Sequence, residues 1–81
     1  MADGIMIGKV ADTIIKQMKK VNALINGNPF GQEYYDAQGE LNGMLKMLSA
    51  IEWQYEIVWA DPDEMTQYDS IIIEGTWWIV I

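Results

Sequence analysis

At Ile51 the spacing of apolar residues changes from helical to alternating, and that change confines the chain to helices first and strands after. Before it, Ile7, Val10, Ile14, Met18, Val21 and Ile25 recur at steps of three and four, one face of an α-helix. Ile15 and Leu24 widen that stripe, and Lys9, Lys16, Lys19 and Lys20 lie off it. The pattern predicts a helix over residues 4–26, with Asp3 as N-cap and Lys19 and Lys20 toward the negative end of the dipole. Gly27 is the expected left-handed cap, and Pro29 cannot continue the helix. A second seam, Tyr34, Ala37, Leu41, Met44, Leu48 and Ile51, predicts a helix over residues 31–51.

Beyond Ile51, Trp53, Tyr55, Ile57 and Trp59 alternate with Gln54, Glu56 and Val58, which reads as a strand over residues 53–60. Asp61-Pro62-Asp63-Glu64 is a turn or a single helical turn, because proline fixes φ and the aspartates cap. Strands over 68–74 and 77–81 follow, joined through Gly75-Thr76 as a two-residue type II′ loop. The expected fold is α+β: two N-terminal helices packed on a three-stranded antiparallel meander, ααβββ. The 81 residues fit one such domain and not two.

That loop pairs Glu74 with Trp77, Ile73 with Trp78, Ile72 with Ile79 and Ile71 with Val80. One face then holds Ile71, Ile73, Trp78 and Val80, and the other Ile72, Trp77, Ile79 and Ile81. Both faces are apolar, although a sheet covered by a helix pair needs only one. Ile72, Trp77, Ile79 and Ile81 are therefore expected to form an interface, with a second copy or with a partner. Gly39 and Gly43 add a second candidate for self-association. Each interior helix glycine costs about 1 kcal/mol, which close approach of helix 1 or of a second subunit would offset. A homodimer is expected.

The residue inventory removes several chemistries. There is no His and no Cys, and all five basic residues are Lys. Nothing of the usual kind can activate Thr13, Ser49, Thr66, Ser70 or Thr76 as a nucleophile, so no enzymatic activity is expected. The glycines form no phosphate-binding pattern. Asp61, Asp63 and Glu64 lack EF-hand spacing, with Pro62 at its second position, so neither a metal nor another cofactor is expected. The N-terminal residues lack the basic region of a signal peptide, and no window is apolar enough for a membrane span. A cytoplasmic protein with no membrane contact is the expectation.

Charge is uneven. The chain carries −7, but residues 1–30 sum to +2 and residues 31–81 to −9, with seven acids and no base from Glu52 onward. Such a field repels phosphate backbones and attracts basic protein surfaces. Direct nucleic-acid binding is not expected; a basic protein partner is. The candidate contact residues are Glu52, Glu56, Asp61, Asp63, Glu64, Asp69 and Glu74, with neighbouring Trp and Tyr rings as anchors. The expected function is that of a small acidic binding protein that blocks or sequesters a basic, nucleic-acid-binding host protein, its carboxylates imitating duplex phosphates. Inhibitors carried by viruses and mobile elements, such as anti-CRISPR and anti-restriction proteins, match in size and charge alone, with no shared motif. The alternatives are a self-associating structural component and a small-ligand sequestering protein walled by the aromatic rings.

Overall fold

The computed structural model describes the backbone of residues 3–27 and 30–81 and the side chains of residues 7–27 and 30–81. The elements run α1 (Asp3–Gly27), α2 (Gln32–Ala50), β1 (Tyr55–Trp59), β2 (Tyr68–Ile73) and β3 (Thr76–Ile79). The strands form one antiparallel sheet in the order β1-β2-β3. The architecture is ααβββ, as the change of period at Ile51 requires.

The helices pack antiparallel through Ala11, Ile14, Met18 and Val21 on α1 and Ala37, Leu41, Leu45 and Leu48 on α2. Ala37 leaves room for the close crossing, and there the buried Gln17 donates from Nε2 to the Ala37 carbonyl at 2.8 Å. A buried amide needs such a partner. Leu45 joins the core although the expected seam passes it by, and Ile51 leaves the seam at the exposed C-terminal end. The molecule measures 42 × 23 × 17 Å. Its length is that of α1, since a 25-residue helix rises about 37 Å.

The end of α2 is a Schellman motif. Trp53 N–H bonds the Leu48 carbonyl at 2.9 Å and Glu52 N–H bonds that of Ser49 at 3.0 Å. Glu52 takes the left-handed position that glycine usually fills, with φ 63°. The N-cap expected at Asp3 lies outside the described side chains, and the stop at Asn28-Pro29 lies outside the described residues. Gly27 is the last helical residue and not a left-handed cap. The last turn of α1 holds no basic residue, so Lys19 and Lys20 sit too far back to gain from the dipole.

Both helices cover the same face of the sheet, where Ile71, Ile73 and Val80 are buried and Ile57, Trp59 and Trp78 pack against them. The Trp78 indole N–H is buried among these apolar groups without a hydrogen-bond partner. Two features of the sheet depart from expectation. The hairpin loop is Glu74-Gly75, not Gly75-Thr76: φ is 48° and 82° at these residues, the type I′ pattern in place of II′. The register is accordingly Ile73↔Thr76, Ile72↔Trp77, Ile71↔Trp78 and Ser70↔Ile79. This differs from the expected register by an even number of residues, so each side chain keeps its assigned face. The second feature is a bulge on β2: Val58 pairs Ser70 and Trp59 pairs Tyr68, leaving Asp69 as the extra residue. The bulge resets the alternation, so that Tyr68 turns to the helices together with Ile71.

Candidate functional site

The face of the sheet turned away from the helices is built of two cross-strand rows. Glu56, Ile72 and Trp77 make one; Val58, Ser70 and Ile79 make the other. Ser70 is buried because its larger neighbours on β1 and β3 close over it. The β3 side of the face lies open: Trp77, Ile79 and Ile81 are 59%, 61% and 67% exposed. Single exposed apolar residues are ordinary, but an indole and an isoleucine on successive same-face positions of β3, with exposed Ile81 just past its end, form a patch. These residues and Ile72 are the sheet residues expected to self-associate.

The acidic candidates do not form one row. A meander places the β1–β2 connection at one end of the sheet, and the α2–β1 junction and β2–β3 turn at the other. Asp61, Asp63 and Glu64 occupy the first end, in a turn held by Asp63 N–H to Asp61 Oδ1 at 3.0 Å and Met65 N–H to the Asp61 carbonyl at 2.8 Å. Glu52 and Glu74 occupy the second, where Glu74 N–H bonds the Gln54 carbonyl at 2.9 Å. Asp69 sits half-buried in the bulge, and its carbonyl accepts from both Val80 and Ile81. Only Glu56 lies within the open face itself, on the far side of Ile72 from Trp77. Among the described residues no group of acids is placed to hold a metal ion, and no helix is long and apolar enough to cross a membrane.

Among the described residues, two of the three non-glycine residues with positive φ are Glu52 and Glu74. The left-handed conformation costs an L-residue roughly 1–2 kcal/mol, which glycine avoids. Carboxylates therefore stand at the same end of the sheet at positions where glycine would fold better.

Gly39 and Gly43 lie in open space. Both are exposed, and a Cβ built on either meets nothing within 4 Å. Helix 1 does not approach them; α1 packs on the opposite, leucine-lined side of α2. The aromatic rings do not converge on one cavity. Trp59 stacks on Tyr68 at 4.8 Å between centroids, Trp78 faces the helices, Trp77 faces outward, and Trp53 and Tyr55 border a shallow depression. The apolar groove between the helices, about 290 Å³, is lined by Val10, Ile14, Met44, Met47 and Ile51 among others, with no ring.

Gln17 and Asn22, which tie the helices to each other and to β2, carry no signal in composition or spacing, and Asp69, a candidate by its charge, gives no sign of its place in the bulge. Asn22 and Gln17 were hidden because a polar residue bordering an apolar stripe reads as solvated. Comparison with protein-family models, curated proteins and solved structures finds no match.

Proposed function

We propose that the chain is a non-enzymatic binding protein that occupies the surface of a basic protein partner, of the kind that handles nucleic acid, through the outer face of its sheet. The observation that carries this reading is the exposed Trp77–Ile79–Ile81 patch, sharing its face with Glu56 and with Glu74 in the turn at one end. An aromatic anchor at the centre of an apolar patch supplies affinity, and carboxylates at its rim supply steering and choice of partner. The negative field from Glu52 onward extends that steering beyond contact range. Strain retained at Glu52 and Glu74 fits residues kept for their charge.

Capture from a cell lysate by the immobilised chain, in three versions, tests this reading. The wild-type chain is expected to enrich basic proteins in a salt-sensitive manner. Trp77→Ser and the double reversal Glu56→Lys, Glu74→Lys are each expected to lose them. Failure to enrich any basic protein, or equal capture by all three versions, would sink the proposal.

A further inference from the structure

We infer that two copies of the chain pair antiparallel along β3, joining their sheets into one continuous six-stranded sheet. Val80 N–H donates to the Asp69 carbonyl at 2.8 Å, so the Val80 backbone faces β2. Antiparallel alternation then turns the backbones of Thr76 and Trp78 toward β2 and those of Trp77 and Ile79 toward the open edge. Among the described residues no other element hydrogen-bonds to the Trp77 or Ile79 backbone.

Edge strands that must stay single carry a charge, a proline or a bulge. From Thr76 to Ile79 there is none of these; the strand ends there, and Val80 and Ile81 both donate to the Asp69 carbonyl. The other edge, β1, carries Glu56. The β3 edge is also complementary to itself. A two-fold axis perpendicular to the sheet, midway between the Trp78 residues of the two copies, sets Trp77 opposite Ile79 of the second copy, and the outward N–H and C=O of each residue bond those of the other.

Charge favours this arrangement over stacking of two outer faces. Edge pairing holds the two Glu56 carboxylates five interstrand spacings apart, about 24 Å, and the two Glu74 turns about 20 Å apart along the strands. Both exceed the screening length of about 8 Å at physiological salt. The contact is isologous and uses up the uncharged edge, so assembly stops at the dimer. Trp77 and Ile79 of both copies then form one central apolar platform with the carboxylates at its margins. The inference stands on backbone geometry and does not require the basic partner.

Sedimentation equilibrium from micromolar to millimolar concentration, with amide exchange on the same samples, tests it. The expected mass rises to twice the 9.3 kDa of the chain. Exchange at Trp77 and Ile79 is expected to slow about tenfold or more as the mass rises. Ile79→Pro removes an N–H that faces away from β2, which an edge strand tolerates, and is expected to leave a monomer. Ile79→Thr keeps the N–H and is expected to remain dimeric. A monomeric mass throughout, open-ended assemblies, a dimeric Ile79→Pro chain, or unprotected Trp77 and Ile79 amides in the wild-type dimer would overturn it. Should Ile79→Pro unfold the chain, wild-type amide protection decides. Loss of lysate capture with the dimer intact would count against the partner reading alone.

Discussion

Asn22 on α1 is joined twice to Tyr68 on β2: its side-chain oxygen accepts from the Tyr68 N–H at 2.9 Å and its side-chain nitrogen donates to the Tyr68 carbonyl at 3.0 Å. The carboxamide stands in for a neighbouring strand where the bulge at Asp69 displaces the ladder toward β3. Asn22→Ala leaves both backbone groups without these partners and is expected to cost about 1–3 kcal/mol by urea denaturation. Asn22→Asp keeps an acceptor but, once ionised, cannot donate to the carbonyl. The fold then favours the protonated acid and raises its pKa above the unfolded value. Stability of this variant is expected to be higher below the unfolded pKa and lost as pH rises through the folded one. A flat stability profile across that range would contradict the assignment.

Tyr68 is expected to contribute to alkaline stability. Burial raises its pKa above the ordinary 10.0; the hydrogen bond with Gln38 acts in the opposite direction, and Tyr34 adds to the rise. The native state thus holds the phenolic proton more tightly than the unfolded state. Its contribution is fully present below pH 10.0 and is lost as pH rises from there through the folded-state pKa. Tyr68→Phe is expected to cost about 1 kcal/mol at neutral pH, from loss of the Gln38 bond, and to flatten the alkaline limb relative to wild type. Denaturation midpoints at neutral and alkaline pH measure both effects.

Elements and faces were legible in the sequence because both follow from periodicity. Ile71, Ile73 and Val80 are buried and Trp77, Ile79 and Ile81 exposed, as alternation requires. The hairpin loop lies one residue from its expected place because glycine suits either turn type. Here it takes the second central position, and Glu74 accepts positive φ at the first. The bulge left no local mark: Asp69 is recognisable only when β1 is laid beside β2. The grouping of the acids depends on which ends of the meander coincide, so the carboxylates divide among the two ends of the sheet, the open face at Glu56 and the bulge at Asp69.

The two faces of the sheet are expected to respond oppositely to the same truncation. Ile71 is fully buried against the helices, and Ile71→Ala is expected to cost about 2–5 kcal/mol through lost burial and the cavity left behind. Ile79 lies one strand away on the open face, and Ile79→Ala is expected to change the stability of the dilute monomer by less than about 1 kcal/mol. Comparable losses would mean that the outer face is covered within the monomer.

Glycine at Glu52, or asparagine at Glu74, relieves a left-handed conformation that the carboxylate tolerates poorly. Each substitution is expected to stabilise the chain by about 0.5–1 kcal/mol. Gly75→Ala, at φ 82°, is expected to destabilise it by about 1 kcal/mol or more. Glu52→Gly and Glu74→Asn should weaken capture of basic proteins while raising the melting temperature. A gain in stability with undiminished capture would remove these two acids from the binding face.

Gly39 and Gly43 give the last prediction, because their two possible roles predict opposite outcomes. In the isolated chain an added methyl group meets only solvent. Gly39→Ala and Gly43→Ala are then expected to stabilise α2 by about 1 kcal/mol each. For a domain of this size that raises the melting temperature by roughly 4–8 °C per substitution. If instead a second helix crosses α2 at these glycines, the methyl groups hold the backbones apart and the dimer weakens. Pairing through β3 leaves this face in water. The double alanine variant is therefore expected to melt higher and to keep the sedimentation mass of the wild-type chain, whereas a fall to the monomer mass would place the self-association surface on α2.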